Sequence, residues 1–127
     1  MVALDEHAKK LIDGKNFASV ATIMPDGSPQ VAPVWIEREG DVIVINATTS
    51  RQRYRNLKRD PRVAVSIYDQ ANPYSRAIIF GKAAEITKKG AEDHIDKLSV
   101  KYTGQKYSYH RTDDPRVIIR ITPERVV

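Results

Sequence analysis

Hydrophobic positions along this chain recur mostly at a spacing of two, interrupted by three stretches of helical period. Phe17–Met24 reads as a first strand, with Phe17, Val20 and Ile23 set among small residues. Pro25-Asp26-Gly27-Ser28 follows as a turn, since Pro presets φ and Gly supplies the left-handed position. Pro29–Glu37 alternates and forms the hairpin partner. Pro33 lies inside it and marks an edge or a local break, because Pro cannot donate to a ladder. Small residues facing a Pro-interrupted strand suit either a flat ligand lying against the backbone or a loosely packed edge. After the turn Glu39-Gly40-Asp41, the continuous β-branched run Asp41–Ala47 predicts a buried strand. Val63–Tyr68 alternates as a fourth strand, Asp69–Tyr74 reads as a loop, and the apolar run Ala77–Ile86 forms a fifth. Gly81 within that run signals a bulge or a close approach. A sixth strand covers Val117–Ile121, after a polar loop over Gln105–Asp114.

Two amphipathic helices are read directly. Asp5–Gly14 places Leu4, Ala8, Leu11 and Ile12 on one side, and Lys88–Thr103 buries Ile95, Leu98 and Tyr102 before Gly104 ends it. A third helix runs from Arg51 to Arg59, with Thr49 or Ser50 as its N-cap, and stops at Asp60-Pro61 because Pro disfavours helix in the preceding residue. Six strands with hairpin-length links and three helices do not alternate as βαβ units. They predict a single domain over residues 1–127, mainly β: a six-stranded antiparallel barrel with helices at its ends.

Charge adds one feature to this picture. Arg51–Arg62 holds six basic residues against one acid, so its net charge of +5 equals that of the whole chain and the remainder is neutral. Arginines occupy the first turn of the third helix, where the dipole and free N–H groups favour negative charge. An anion held jointly by Ser50, those N–H groups and the arginines would resolve the conflict, phosphate being the usual candidate. A solvated basic helix is the alternative.

Composition removes several classes of chemistry. Without Cys there are no disulfides, thiolate nucleophiles or Cys-based zinc sites. No apolar run reaches the length of a membrane span and the N-terminus lacks a signal-peptide core, so a soluble, cytoplasmic protein is expected. One basic helix on a neutral body, with few aromatic residues, makes a poor nucleic-acid surface. His7, His94 and His110 lack metal-ligand spacing and read as surface or helix histidines, and Asp113-Asp114 read as loop residues. Neither a G-x-S-x-G elbow nor a Gly-rich phosphate loop is present. No catalytic residue can therefore be named, and an enzyme of this sequence would borrow its reactive group from a cofactor.

Three segments in order, P-D-G-S-P-Q-V-A-P-V-W, I-N-A-T-T-S-R-Q-R-Y-R-N-L-K-R-D-P-R-V and N-P-Y-S-R-A-I-I-F-G-K-A-A-E-I, resemble the pyridoxamine-phosphate-oxidase-like split β-barrel superfamily. The later I-D-K-L-S-V-K-Y-T-G and R-V-I-I-R-I-T-P-E-R-V-V resemble its small deazaflavin-dependent oxidoreductases, which use coenzyme F-420. The resemblance runs from Phe17 to Val127 and implies a homodimer with two flavin or deazaflavin sites at the subunit interface. It places the cofactor phosphate on Ser50, Arg51 and Arg53, with Asn46, Thr49 and Asn56 at the same corner. The ring system would lie against Pro33, Val34 and Trp35, although Trp35 suits ordinary core packing equally. Tyr74 and Arg76 would be contributed by the partner chain. Relatives commonly carry Lys where this chain has Arg53, which keeps the charge but binds as a fork. The implied activity is hydride transfer from reduced F-420 to a small unsaturated organic substrate. FMN on the same fold, as an oxidase or flavin reductase, is the first alternative, and a non-catalytic cofactor-binding protein the second. Pyridoxamine-phosphate oxidation is a third, for which the chain is short. Lys58 or Arg59 along the path of the acidic F-420 tail would favour F-420.

Overall fold

The computed structural model describes all 127 residues. Its elements are α1 (Glu6–Asp13), β1 (Ala18–Ile23), β2 (Pro29–Val34), β3 (Glu37–Glu39), β4 (Val42–Thr48), α2 (Gln52–Arg59), β5 (Arg62–Asp69), β6 (Asn72–Thr87), α3 (Ala91–Thr103) and β7 (Arg116–Val126). No helix is long and apolar enough to cross a membrane.

Every strand pair is antiparallel, and the order across the sheet is β2-β1-β5-β6-β7-β4-β3. The first and last strands of that order are consecutive in the chain, with only Trp35 and Ile36 between them. The sheet therefore curls until its two edges meet at one segment, giving a split barrel. Here the structure adds a seventh strand to the six expected. The stretch Pro29–Glu37 cannot stay one strand, because its first part pairs with β1 and its last residue with β4. Ile36, fully buried at the break, pins the corner. Pro33 lies on β2, an edge strand, as its missing N–H requires.

The barrel interior holds a contiguous core built on Val20, Ile43, Ile45, Val65, Ile67, Ile79, Ile119 and Ile121, with α1 inserting Ala8, Leu11 and Ile12. Each such fully buried side chain contributes roughly 1.5–3 kcal/mol before entropy is counted. Strand β4 is covered on both faces, by this core and by a smaller cluster of Val44, Ala91 and Ile118 beneath α3. That two-sided burial explains its continuous β-branched sequence.

Two boundaries differ from the sequence reading. The loop expected over Asp69–Tyr74 shrinks to a tight turn, since Asn72 already pairs with Asp69 and β6 begins there. Strand β7 continues past Ile121 to Val126, because the T-P-E-R-V segment pairs along β6. A bulge between Phe80 and Gly81 lets that ladder pass Pro123. A Cβ on Gly81 would sit 2.4 Å from the Thr122 carbonyl oxygen, so the bulge closes only on a glycine.

Candidate functional site

Helix α2 is held against the barrel by Asn56 and Leu57, both buried. The Asn56 amide donates to Thr22 Oγ1 at 3.0 Å and its oxygen accepts from Gln52 at 2.8 Å, so Asn56 anchors the helix instead of facing a ligand. Arg59 donates to the Ile23 carbonyl and Lys58 lies by Tyr54, and neither lines the cavities beside Arg51. The cap also differs from expectation. Arg51 occupies the N-cap position without any side-chain cap bond, and no acid lies in the first turn.

Ser50 is engaged elsewhere. Its hydroxyl donates to Asp114 at 2.7 Å and its backbone N–H donates to the same carboxylate at 3.2 Å. Those Ser50 bonds hold the Asp114 carboxyl below its ordinary range. A carboxylate from the 105–114 loop thus occupies donors that the sequence had offered to an external anion. Thr49 donates its backbone N–H to the Pro115 carbonyl and lines no cavity.

Three guanidinium groups converge beside this corner: Arg51, Arg53 and Arg116. None of them takes part in any of the molecule's ion pairs. Arg53 donates from Nη2 to the Asn46 carbonyl oxygen at 3.2 Å, while its Nε is buried without a partner. Burial, then the charges of Arg51 and Arg116, push the Arg53 pKa down to about 10. Arg116 donates to Asn46 Oδ1 at 3.2 Å and lies over the Tyr107 ring at 4.6 Å. A buried, unpaired donor among like charges is costly unless an anion completes it.

The three arginines line a cleft of about 270 Å³ whose apolar lining is Phe17, Pro33, Val34, Trp35 and Ile95, with Tyr107 completing it. Trp35 is half-buried, stacked on Tyr102 at 5.4 Å and edge-on to Tyr107. It is fixed from behind by Tyr102 and presented to the cleft. A second cavity of about 470 Å³ shares Arg51, Tyr107 and Arg116 and adds Thr48, Ser50, Tyr109, Arg111 and Asp114. Together they form a slot with an apolar end and a cationic end.

Of the residues singled out from sequence, Pro33, Val34, Trp35, Ser50, Arg51 and Arg53 are brought together here. Asn46 lies behind the cleft, buried, holding two of its arginines. Tyr74 and Arg76 are exposed on the first part of β6 and line neither cavity. Sequence reasoning missed Arg116, Tyr107, Phe17 and Ile95. Arg116 becomes visible only through the pairing of Thr48 with Arg116 across β4 and β7. His94, read as a surface or helix histidine, is helical but buried. Its Nδ1 meets the Asn46 amide at 3.0 Å and its Nε2 meets Glu37 at 2.9 Å.

A family profile described as pyridoxamine 5'-phosphate oxidase matches residues 4–127. Among solved structures, an F-420 reductase is 32% identical, with a TM-score of 0.87 and coverage of 98% of each chain. HupZ from Group A Streptococcus is 22% identical with a TM-score of 0.72, covering 97% of this chain and 91% of that one. A conserved hypothetical protein from Mycobacterium tuberculosis is 24% identical with a TM-score of 0.76, covering 99% and 84%. The last two speak for the fold alone.

Proposed function

Because this chain belongs to the pyridoxamine 5'-phosphate oxidase family, we propose that it is an oxidoreductase that binds a flavin-type cofactor, F-420 foremost, and acts on a small unsaturated organic substrate. The observation that carries this reading is Arg53, cationic and part-buried, with an unpartnered Nε between Arg51 and Arg116 at one end of an apolar slot. A phosphate-bearing planar ligand fits that donor set. Arg51, Arg53 and Arg116 would hold the phosphate, and Pro33, Val34 and Trp35 would flank the ring.

A reduced deazaflavin, when bound, supplies a hydride equivalent. The chain's own residues position and shield. Trp35, stacked on Tyr102, gives a stiff wall, and Phe17, Val34 and Ile95 keep water from the apolar end. No acid or base lines that end, so the protein contributes orientation and electrostatics. F-420 is favoured over FMN by the 32% identical reductase and by the adjoining cavity, where Arg51, Arg111 and Arg116 could receive an acidic tail.

The same reading includes a homodimer. The outward face of β2, β1, β5 and β6 carries Val31, Ala21, Ala64 and Phe80 in one cross-strand row. Pro33, Ser19, Ser66 and Ile78 form the next. These two rows, with Arg125 over the Phe80 ring and Arg62, Lys82 and Arg76 flanking them, reach Pro33, so a second copy seated there would also close the cleft. Tyr74 and Arg76 remain candidates to act across that interface.

The test is cofactor identity. The protein is purified from a host making both FMN and F-420, and absorbance and binding constants are measured for each. Tight FMN binding with no measurable F-420 affinity sinks the F-420 assignment. Bound F-420 without reduction of a panel of enones and quinones sinks the catalytic one.

A further inference from the structure

Asn46 stands between the cleft and a buried histidine that does not line it. Its backbone oxygen accepts from Arg53 at 3.2 Å and its side-chain oxygen from Arg116 at 3.2 Å. Its side-chain NH₂ donates to the Ala91 carbonyl at 3.0 Å and approaches His94 Nδ1 at 3.0 Å. The orientation of this amide follows from neighbours that can act in one sense only. A carbonyl can only accept and a guanidinium can only donate, so nitrogen faces Ala91 and oxygen faces Arg116. His94 Nδ1 must then accept, which leaves the ring proton on Nε2, directed at Glu37 Oε1 at 2.9 Å.

Glu37 is held on its far side by Lys97, 3.6 Å from Oε2. Burial pushes the Glu37 carboxyl up, but the His94 N–H and the Lys97 charge outweigh it and hold it below its ordinary value. The side chains of His94 and Glu37 are only 7% and 12% exposed, so water does not compete freely for these bonds. One chain of hydrogen bonds therefore runs from Glu37 on β3, itself ion-paired with Lys97 of α3, through His94 and Asn46 to Arg116.

From this chain we propose that His94 is a positioning residue for anion binding: by accepting the Asn46 amide at Nδ1 while Glu37 takes its Nε2 proton, it keeps the Asn46 oxygen on Arg116 and Arg116 aimed into the cleft. The proposal rests on the reading of the cleft as a phosphate site and goes beyond it, since His94 touches no ligand. Without the Nδ1 acceptor, the Asn46 NH₂ keeps only Ala91 as a partner, and the Oδ1 on which Arg116 rests is held less firmly.

Inorganic phosphate is the probe, titrated by NMR shift changes into the full chain. His94→Leu should weaken phosphate binding about three- to tenfold, the worth of one net hydrogen bond. His94→Asn, which returns an oxygen near the Nδ1 position, should restore most of that loss. In an Arg116→Ala background, His94→Leu should change phosphate affinity no further, because the pathway ends at Arg116. Equal losses in both backgrounds, or no rescue by Asn, overturn the proposal. So does a wild-type protein that phosphate does not shift. Should His94→Leu fail to fold, the wild-type ring decides: ¹⁵N spectra at neutral pH should place the proton on Nε2, and a proton on Nδ1 overturns the proposal. If phosphate follows this pattern while neither FMN nor F-420 binds, the cofactor assignment fails and the role of His94 stands. If a cofactor binds but phosphate affinity is blind to His94, the reverse holds.

Discussion

Replacing Arg53 with Met should make the ligand-free protein more stable and its anion binding weaker. Met keeps an unbranched apolar stem in place of the arginine stem and removes the charge. The Arg53 pKa is pushed down to about 10, more than two pH units below an ordinary guanidinium, by burial first and then by Arg51 and Arg116. At about 1.4 kcal/mol per pH unit, the cation costs the empty fold about 3 kcal/mol, and about 2 kcal/mol once its partial exposure is allowed for. The variant also loses the Nη2 bond to the Asn46 carbonyl, worth about 1 kcal/mol. The net gain is about 1 kcal/mol, or a rise in Tm of about 3 °C for a domain of this size. Phosphate or cofactor affinity should fall on the order of ten- to a hundredfold, for a charged bond worth about 1.5–3 kcal/mol. The pH dependence has a definite sign. A cation whose folded pKa is depressed costs stability at neutral pH, and the cost fades as pH rises through about 10, where the folded state sheds its proton before the unfolded chain does. The stability advantage of Arg53→Met should therefore narrow in alkaline buffer. Thermal melts with and without ligand, paired with a binding titration, measure all three quantities. A variant that melts lower than wild type when empty, or that binds phosphate undiminished, refutes the reasoning.

Gly81→Ala should destabilise the fold by about 1–3 kcal/mol in urea unfolding, because the new Cβ meets a backbone oxygen that cannot rotate away; an unchanged midpoint would mean that the bulge relaxes freely. His110 has both ring nitrogens on carboxylates, Glu92 at 3.0 Å and Asp96 at 2.7 Å, an arrangement that needs the imidazolium. Its pKa is raised by Glu92 first and then Asp96, so this tie on the 105–114 loop is complete below the ordinary 6.5 and is lost as pH rises through the folded value. Protection of the Tyr107 amide, which donates to Asp96, should accordingly drop as pH rises past the ordinary 6.5 and through the raised folded value, and a His110→Ala variant should show no such drop. Val31, 64% exposed at the β2 end of the apolar cross-strand row, should tolerate Asp in a monomer but not in a dimer. Sedimentation of Val31→Asp at the same mass as wild type would argue against that face as the interface.

The parts of this molecule legible in its sequence are those whose signal is local. Two-sided burial of β4 shows as an unbroken β-branched run, the edge position of β2 as Pro33, and the Gly81 bulge as a lone glycine within a strand. The cationic cluster was legible through Arg51 and Arg53, since charge density and a broken dipole rule lie within one helix. What remained hidden depends on pairing across distance. Arg116 looked like the polar start of the last strand until register set it opposite Thr48. His94 looked like one more polar helix position, because nothing in α3 says that its neighbour is Asn46 of β4. The seventh strand was hidden for a similar reason: the break at Trp35–Ile36 reflects which strand each half pairs with, not any breaker residue.

The basic first turn of α2 posed a conflict that the fold answers only in part. Asp114 takes both donors of Ser50, so one carboxylate already lies at the turn that leads into α2. It makes no ion pair with Arg51, Arg53 or Arg116, and Arg53 Nε is left with nothing. A purely structural role would predict the opposite arrangement, with a carboxylate on the most costly cation and the exposed serine left to water. The protein instead satisfies the inexpensive group and leaves the expensive one open toward an apolar slot. Asn46 reinforces the point, since it spends both oxygens on the two arginines and its nitrogen on Ala91 and His94. It fixes where the two guanidinium groups point without neutralising either. Positive charge that is held in place, desolvated and unneutralised has a clear use only when a negative group arrives from outside the chain.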